Sequence, residues 1–78
     1  MKYPKQIEDA YDRFLKTLSN KTRLGIINCL KVEPKNVTTL TQELKVHQTT
    51  VSHSLRKLKE CGFVFVEQNG KERIYRNH

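Results

Sequence analysis

Thr49, His53 and Arg56 stand at i, i+4 and i+7, so a helix through them would carry all three on one side, flanked by Gln48, Thr50, Ser52 and Lys57. The strip begins with short amide and hydroxyl side chains and ends with basic ones. Groups of that kind read base edges in a major groove: Gln48, Thr49 and Thr50 approach closely, and the longer Arg56 reaches a guanine or a phosphate. The free N–H groups and positive dipole end of such a helix also favour phosphates. The blander reading of the same strip is a solvated polar helix face. A short helix before it, a basic flank and a hairpin after it favour recognition of double-stranded DNA.

Residues suited to other chemistry are dispersed. His47 and His53 lie on different sides of a helix, and no pair among His47, His53, His78, Cys29 and Cys61 has the i, i+4 spacing of helical metal ligands. Neither a metal nor another cofactor is expected. Cys29 and Cys61 form no CxxC and are expected to be reduced thiols in or near the core rather than a redox switch. A glycine-rich phosphate loop, a nucleophile elbow and a clustered acid–base pair are all missing, so an enzyme is not expected.

The elements that must carry the strip are legible from hydrophobic spacing. Ile7, Ala10, Tyr11, Phe14, Leu15 and Leu18 line one face of a first helix. Ser19 and Asn20 interrupt it with capping side chains. Leu24, Ile26, Ile27, Cys29 and Leu30 then form a denser pattern, expected to be a central helix buried nearly all round. Pro34, Lys35 and Asn36 end that helix, Thr38 is the expected cap of a short third helix through Leu40 and Leu44, and a break follows around Lys45 to Gln48. Two short helices separated by about three residues have helix-turn-helix spacing. The second, over residues 48–60, buries Val51, Leu55 and Leu58 and stops at Gly62, a residue suited to a left-handed closing position. Phe63-Val64-Phe65-Val66, a turn at Asn69-Gly70 and the alternating Arg73-Ile74-Tyr75-Arg76 predict a hairpin. The fold class is therefore mainly α with a β-hairpin, a winged helix-turn-helix spanning residues 1–78 as a single domain. The hairpin tip would project far enough for Lys71 and Arg73 to reach an adjacent minor groove or its phosphates.

Charge agrees with a polyanionic partner. There are 15 Lys plus Arg against 8 Asp plus Glu, a formal charge of +7, and no acidic residue between Lys45 and Lys59. No apolar run approaches the roughly 18 residues of a membrane span, and the first residues lack the apolar core of a secretory signal, so a cytoplasmic protein without membrane contact is expected.

Residues 14 to 76 resemble the ArsR-type (ArsR/SmtB-like) winged-helix regulators. The resemblance rests on Leu18-Ser19-Asn20-Lys21-Thr22-Arg23-Leu24, on Val37-Thr38-Thr39-Leu40-Thr41-Gln42-Glu43-Leu44, and above all on the stretch from His47 through Gln48-Thr49-Thr50-Val51-Ser52-His53 to Gly62-Phe63-Val64. It implies that Gln48, Thr49, Thr50, Ser52, His53 and Arg56 face DNA, and that a homodimer, with repression as its expected role, binds a two-fold-related operator. Three departures matter. Lys45 and His47 stand where the family usually has glycine and serine, so a non-glycine residue is expected in a left-handed conformation. Lys45-Val46-His47 also replaces the Cys-Val-Cys through which some members sense metals. The chain stops at His78, where others continue into a further helix, so this is expected to be a short form that dimerises mainly through its first helix, where Tyr3, Ile7, Tyr11 and Phe14 offer apolar surface. The rival reading is a winged-helix architectural or protein-interaction module without sequence choice.

Overall fold

Each break between apolar stretches is a place where the backbone finds a cap. The computed structural model describes the backbone of residues 5–78 and the side chains from Asp9 onward, so the readings for Tyr3 and for the Ile7 side chain lie outside the described residues. Helices α1 (Lys5–Leu18), α2 (Lys21–Val32), α3 (Val37–Leu44) and α4 (Gln48–Glu60) are followed by strands β1 (Val64–Asn69) and β2 (Glu72–Asn77). The expected winged helix-turn-helix architecture is thus present.

Asn20 caps α2, its Oδ1 accepting from the Arg23 N–H at 3.0 Å, whereas Ser19 donates its hydroxyl back to the Lys16 carbonyl at 2.8 Å. The cap of α3 is Asn36 rather than Thr38. Asn36 Oδ1 accepts from the Thr39 N–H at 2.8 Å from an extended backbone, which leaves Thr38 exposed inside the first turn. Helix α4 closes as sequence predicts: Gly62 is left-handed (φ 79°), its N–H donates to the Lys59 carbonyl at 3.1 Å, and the Phe63 N–H donates to the Leu58 carbonyl at 2.8 Å.

The core is small. Ile26, Leu30, Leu40, Val51, Leu55, Leu58, Val64 and Tyr75 are buried together, with Ile27, Cys29, Leu44 and Phe63 packed partly against them. Helix α2 is less enclosed than its composition suggests. Ile26 and Leu30 are buried, but Leu24 is half-exposed and Val32 lies open, because only one of its sides meets α3 and α4. The apolar stripe of α1 is barely used. Tyr11, Phe14 and Leu15 remain substantially exposed, and among its described side chains α1 buries Thr17, whose hydroxyl donates to the Arg13 carbonyl at 2.8 Å. Thr17 Oγ1 also meets Cys61 Sγ at 3.3 Å, and the Phe14 and Phe63 rings lie 5.0 Å apart, so α1 leans on the far end of α4. Arg23 holds the last turn of α1 from α2, donating Nε to the Thr17 carbonyl at 2.7 Å, a cation where the helix dipole is negative.

The expectation that both thiols lie in or near the core holds for Cys29, which is partly buried, and not for Cys61, which is exposed beyond the last turn of α4. Burial, with Glu43 adding to it against Lys35, pushes the Cys29 thiol up from its ordinary 9.0 and keeps it protonated near neutrality. Brief iodoacetamide treatment of the native protein at pH 7.5 is therefore expected to alkylate Cys61 well before Cys29. Peptide mass mapping reads the order, and equal labelling would contradict the packing of α2.

The hairpin pairs in register from Val64↔Asn77 to Asn69↔Glu72, so its two-residue loop is Gly70-Lys71 rather than Asn69-Gly70. Asn69 is held by its strand partner, and the positive φ required at the first loop position falls to Gly70 (φ 65°). The connector between α2 and α3 adds a partial third strand. Lys35 donates its N–H to the Tyr75 carbonyl at 3.1 Å and accepts from the Tyr75 N–H at 2.8 Å. The buried Lys35 ammonium meets Glu43 of α3 at 2.9 Å, and the Asn36 amide donates to Glu72 of β2 at 2.8 Å. The hydrogen bond to Glu43 holds the Lys35 ammonium above its usual 10.5 despite burial. The Lys35 charge is thus fully present at neutral pH, and what it contributes to stability is lost as pH rises through that raised value. These links tie the wing to the helix-turn-helix.

Candidate nucleic-acid interface

Helix α4 divides cleanly along its axis. Val51, Ser54, Leu55 and Leu58 turn inward and are buried. Gln48, Thr49, Thr50, Ser52, His53, Arg56 and Lys57 are all exposed. Its burial against α2 and α3 leaves the opposite strip to solvent for the same reason that fixed the helix, the 100° step between residues. Ser54 joins the buried face because it lies one turn from Val51 and Leu58. No acidic side chain stands in the first turn of α4, and Lys57 and Lys59 stand in its last, the latter matching the negative end of the dipole.

The turn that aims this helix runs through Lys45, Val46 and His47. Lys45 is left-handed at φ 57°, ψ 43°, as sequence predicts, and its N–H donates to the Thr41 carbonyl at 2.9 Å. His47 occupies the N-cap of α4 yet makes no side-chain capping bond. Both positions carry local strain or a missed bond that glycine and serine would remove. Lys45→Gly and His47→Ser are each expected to raise stability by about 1 kcal/mol, because glycine has no Cβ penalty there and a serine hydroxyl accepts from the Thr50 N–H. Chemical denaturation with unchanged slope checks this; a neutral Lys45→Gly would mean that glycine's greater unfolded-state entropy cancels the relief.

The two wing residues separate. Lys71 sits in the loop at the tip. Arg73, opposite Gln68, shares the strand face of Tyr75 and Val66 and so turns toward α4 rather than outward with Lys71. There it lines a hollow of about 410 Å³ together with Ser52, Arg56 and Lys59 of α4 and Tyr75 of β2. The structure therefore brings Ser52, Arg56 and Arg73 together and leaves Lys71 apart. Sequence reasoning missed Lys59 and Tyr75 at this place. Lys59 was readable, since it lies seven residues from Ser52 and three from Arg56 on the same helix edge; Tyr75 carried no such signal, because its position depends on strand register.

Among the described residues, no group of three or more His, Cys, Asp or Glu side chains is placed to hold a metal ion, and no helix is long and apolar enough to cross a membrane.

Comparison with known proteins agrees with this fold. Residues 20–65 match the model of the family described as bacterial regulatory protein, arsR family. The HTH-type transcriptional repressor SmtB of Mycobacterium tuberculosis is 36% identical over 73 residues, which cover 94% of this chain and 54% of SmtB. The chain thus spans about half the length of that relative. Among solved structures, the homodimeric winged helix-turn-helix DNA-binding domain Mb0332 of Mycobacterium bovis superposes with a TM-score of 0.84 at 29% identity, covering 92% of this chain and 67% of that one. The transcriptional repressor BigR of Xylella fastidiosa gives 0.82 at 31% identity, covering 95% and 76%. With α4 and its turn falling inside the matched segment, this chain belongs to the arsR family of bacterial regulatory proteins.

Proposed function

We propose that the chain binds double-stranded DNA sequence-specifically as a homodimeric transcriptional regulator, a repressor, acting in the cytoplasm as a single domain with α4 in the major groove. The observation that carries this reading is the exposure of Gln48, Thr49, Thr50, Ser52, His53, Arg56 and Lys57 on one helix whose other side is buried. Repression is supported by the relative named a transcriptional repressor, and dimerisation by the neighbour described as homodimeric. In this reading Gln48, Thr49, Thr50, Ser52 and His53 meet base edges, Lys57 and Lys71 meet phosphates, and Arg56 and Arg73 lie where helix and wing converge. The exposed side chains of Tyr11, Phe14 and Leu15 support α1 as the main dimer surface in this reading.

Selection of bound duplexes from a random library, at near-physiological salt and with competitor DNA, tests the proposal. A near-palindrome with half-sites about one helical turn apart is the expected outcome. Salt-sensitive binding without a preferred site, or none, would overturn it in favour of an architectural or protein-binding module.

A further inference from the structure

We infer that the hollow between α4 and β2 is a binding site for a single backbone phosphate of duplex DNA, with Arg56, Lys59 and Arg73 converging on it and Tyr75 donating its hydroxyl. Four observations meet here. Three cations border one hollow of about 410 Å³, and among the described residues no carboxylate lines it. None of the three takes part in an ion pair: Glu60, next to Lys59, borders a different hollow with Arg13 and Phe14, Glu67 meets Arg76 at 2.9 Å, and Glu72 accepts from the Asn36 amide at 2.8 Å. Tyr75, which lines the hollow, is only 9% exposed; its hydroxyl has no hydrogen-bond partner among the described residues and is not fully buried, so it reaches solvent and can donate to an anion bound there. Finally, the wing is held against the helix-turn-helix by Lys35 on both backbone bonds of Tyr75, so Arg73 and Tyr75 keep their distance from α4 without the ligand.

Like charges gathered without a counter-ion repel one another, and an anion among them is stabilised by all three. Arginine offers a planar fork that matches two phosphate oxygens, lysine a point charge, and tyrosine a neutral donor. The hollow lies between the major-groove helix and the wing, where a backbone passes from one groove to the next. The inference rests on the DNA reading above and assigns Arg56 to the phosphate rather than to a guanine.

The test uses the selected duplex and a scrambled one, with wild-type chain, Arg56→Gln, Lys59→Gln, Arg73→Gln, Tyr75→Phe and the triple glutamine variant. Each arginine or lysine change is expected to weaken both duplexes by the same factor, about tenfold, without altering the preferred base at any position. Because one phosphate is shared, the triple variant is expected to lower the slope of log affinity against log salt by about 0.9 per half-site, rather than the roughly 2.7 of three separate contacts. A scan of neutral methylphosphonate linkages should find one position per half-site that weakens the wild-type chain and leaves the triple variant unaffected. Tyr75→Phe keeps the buried ring and should weaken binding at that same linkage only. If Arg56→Gln relaxes preference for one base, or if no single linkage couples to all three cations, the shared site is overturned while the DNA reading stands. Failure of the wild-type chain to bind any duplex overturns both.

Discussion

Leu58→Ala is expected to remove about 2–5 kcal/mol of folding stability, enough to leave so small a domain largely unfolded near 37 °C. Leu58 is fully buried, and it sits where α4 meets the hairpin, its carbonyl accepting the Phe63 N–H that closes the helix. Truncation there removes apolar contacts and leaves a cavity that neighbouring turns of α4 cannot collapse into without moving Val64, itself buried at the start of β1. Urea denaturation followed by circular dichroism measures the change. The exposed neighbour Lys57→Ala, expected within about 0.5 kcal/mol of wild type, is the control. A loss below about 1 kcal/mol for Leu58→Ala would mean that the hairpin is not braced through α4.

For the homodimer proposed above, Leu15→Glu is expected to give a monomer and to weaken binding of the proposed palindromic site by about 100-fold or more, while affinity for an isolated half-site stays close to wild type. Leu15 is 62% exposed, as are Tyr11 at 61% and Phe14 at 47%, so a carboxylate there disturbs little of the core. The same carboxylate brought against its symmetry mate would be desolvated beside a like charge, which an isologous interface does not tolerate. Sedimentation equilibrium and binding to whole and half sites read the two effects together. A variant that stays dimeric would move the interface off α1; a variant that is monomeric yet binds the palindrome as before would mean that each half-site is occupied independently.

What was readable in advance was local. The inward face of α4, the left-handed Lys45 and Gly62, and the strip from Gln48 to Lys57 each follow from side-chain spacing along one helix or from the one backbone conformation that closes it. Readings failed where a choice between neighbouring residues turned on backbone partners. Asn36 displaced Thr38 as the cap of α3 because it is the residue that enters from an extended conformation. The hairpin loop shifted by one residue because Asn69 pairs with Glu72.

Other features belong to contacts between distant segments. Lys35 reads in sequence as part of a polar break, yet the fold buries it, pairs its backbone with Tyr75 and neutralises it with Glu43. The stripe on α1 reads in sequence as one continuous apolar face, whereas the fold rests α1 on the molecule through Thr17 and Phe14 and leaves Tyr11 and Leu15 in solvent.

Residue order alone puts on a helix over residues 48–60 a polar, then basic, strip opposite an apolar one, since helical periodicity needs nothing beyond the spacing of side chains along the chain. That Arg73 leaves Lys71 at the wing tip and joins Arg56 and Lys59 around one hollow depends instead on how distant segments pair and pack. The register of β1 on β2 selects which side of the wing each residue occupies, and the bridge from Lys35 to Tyr75 holds that side toward α4.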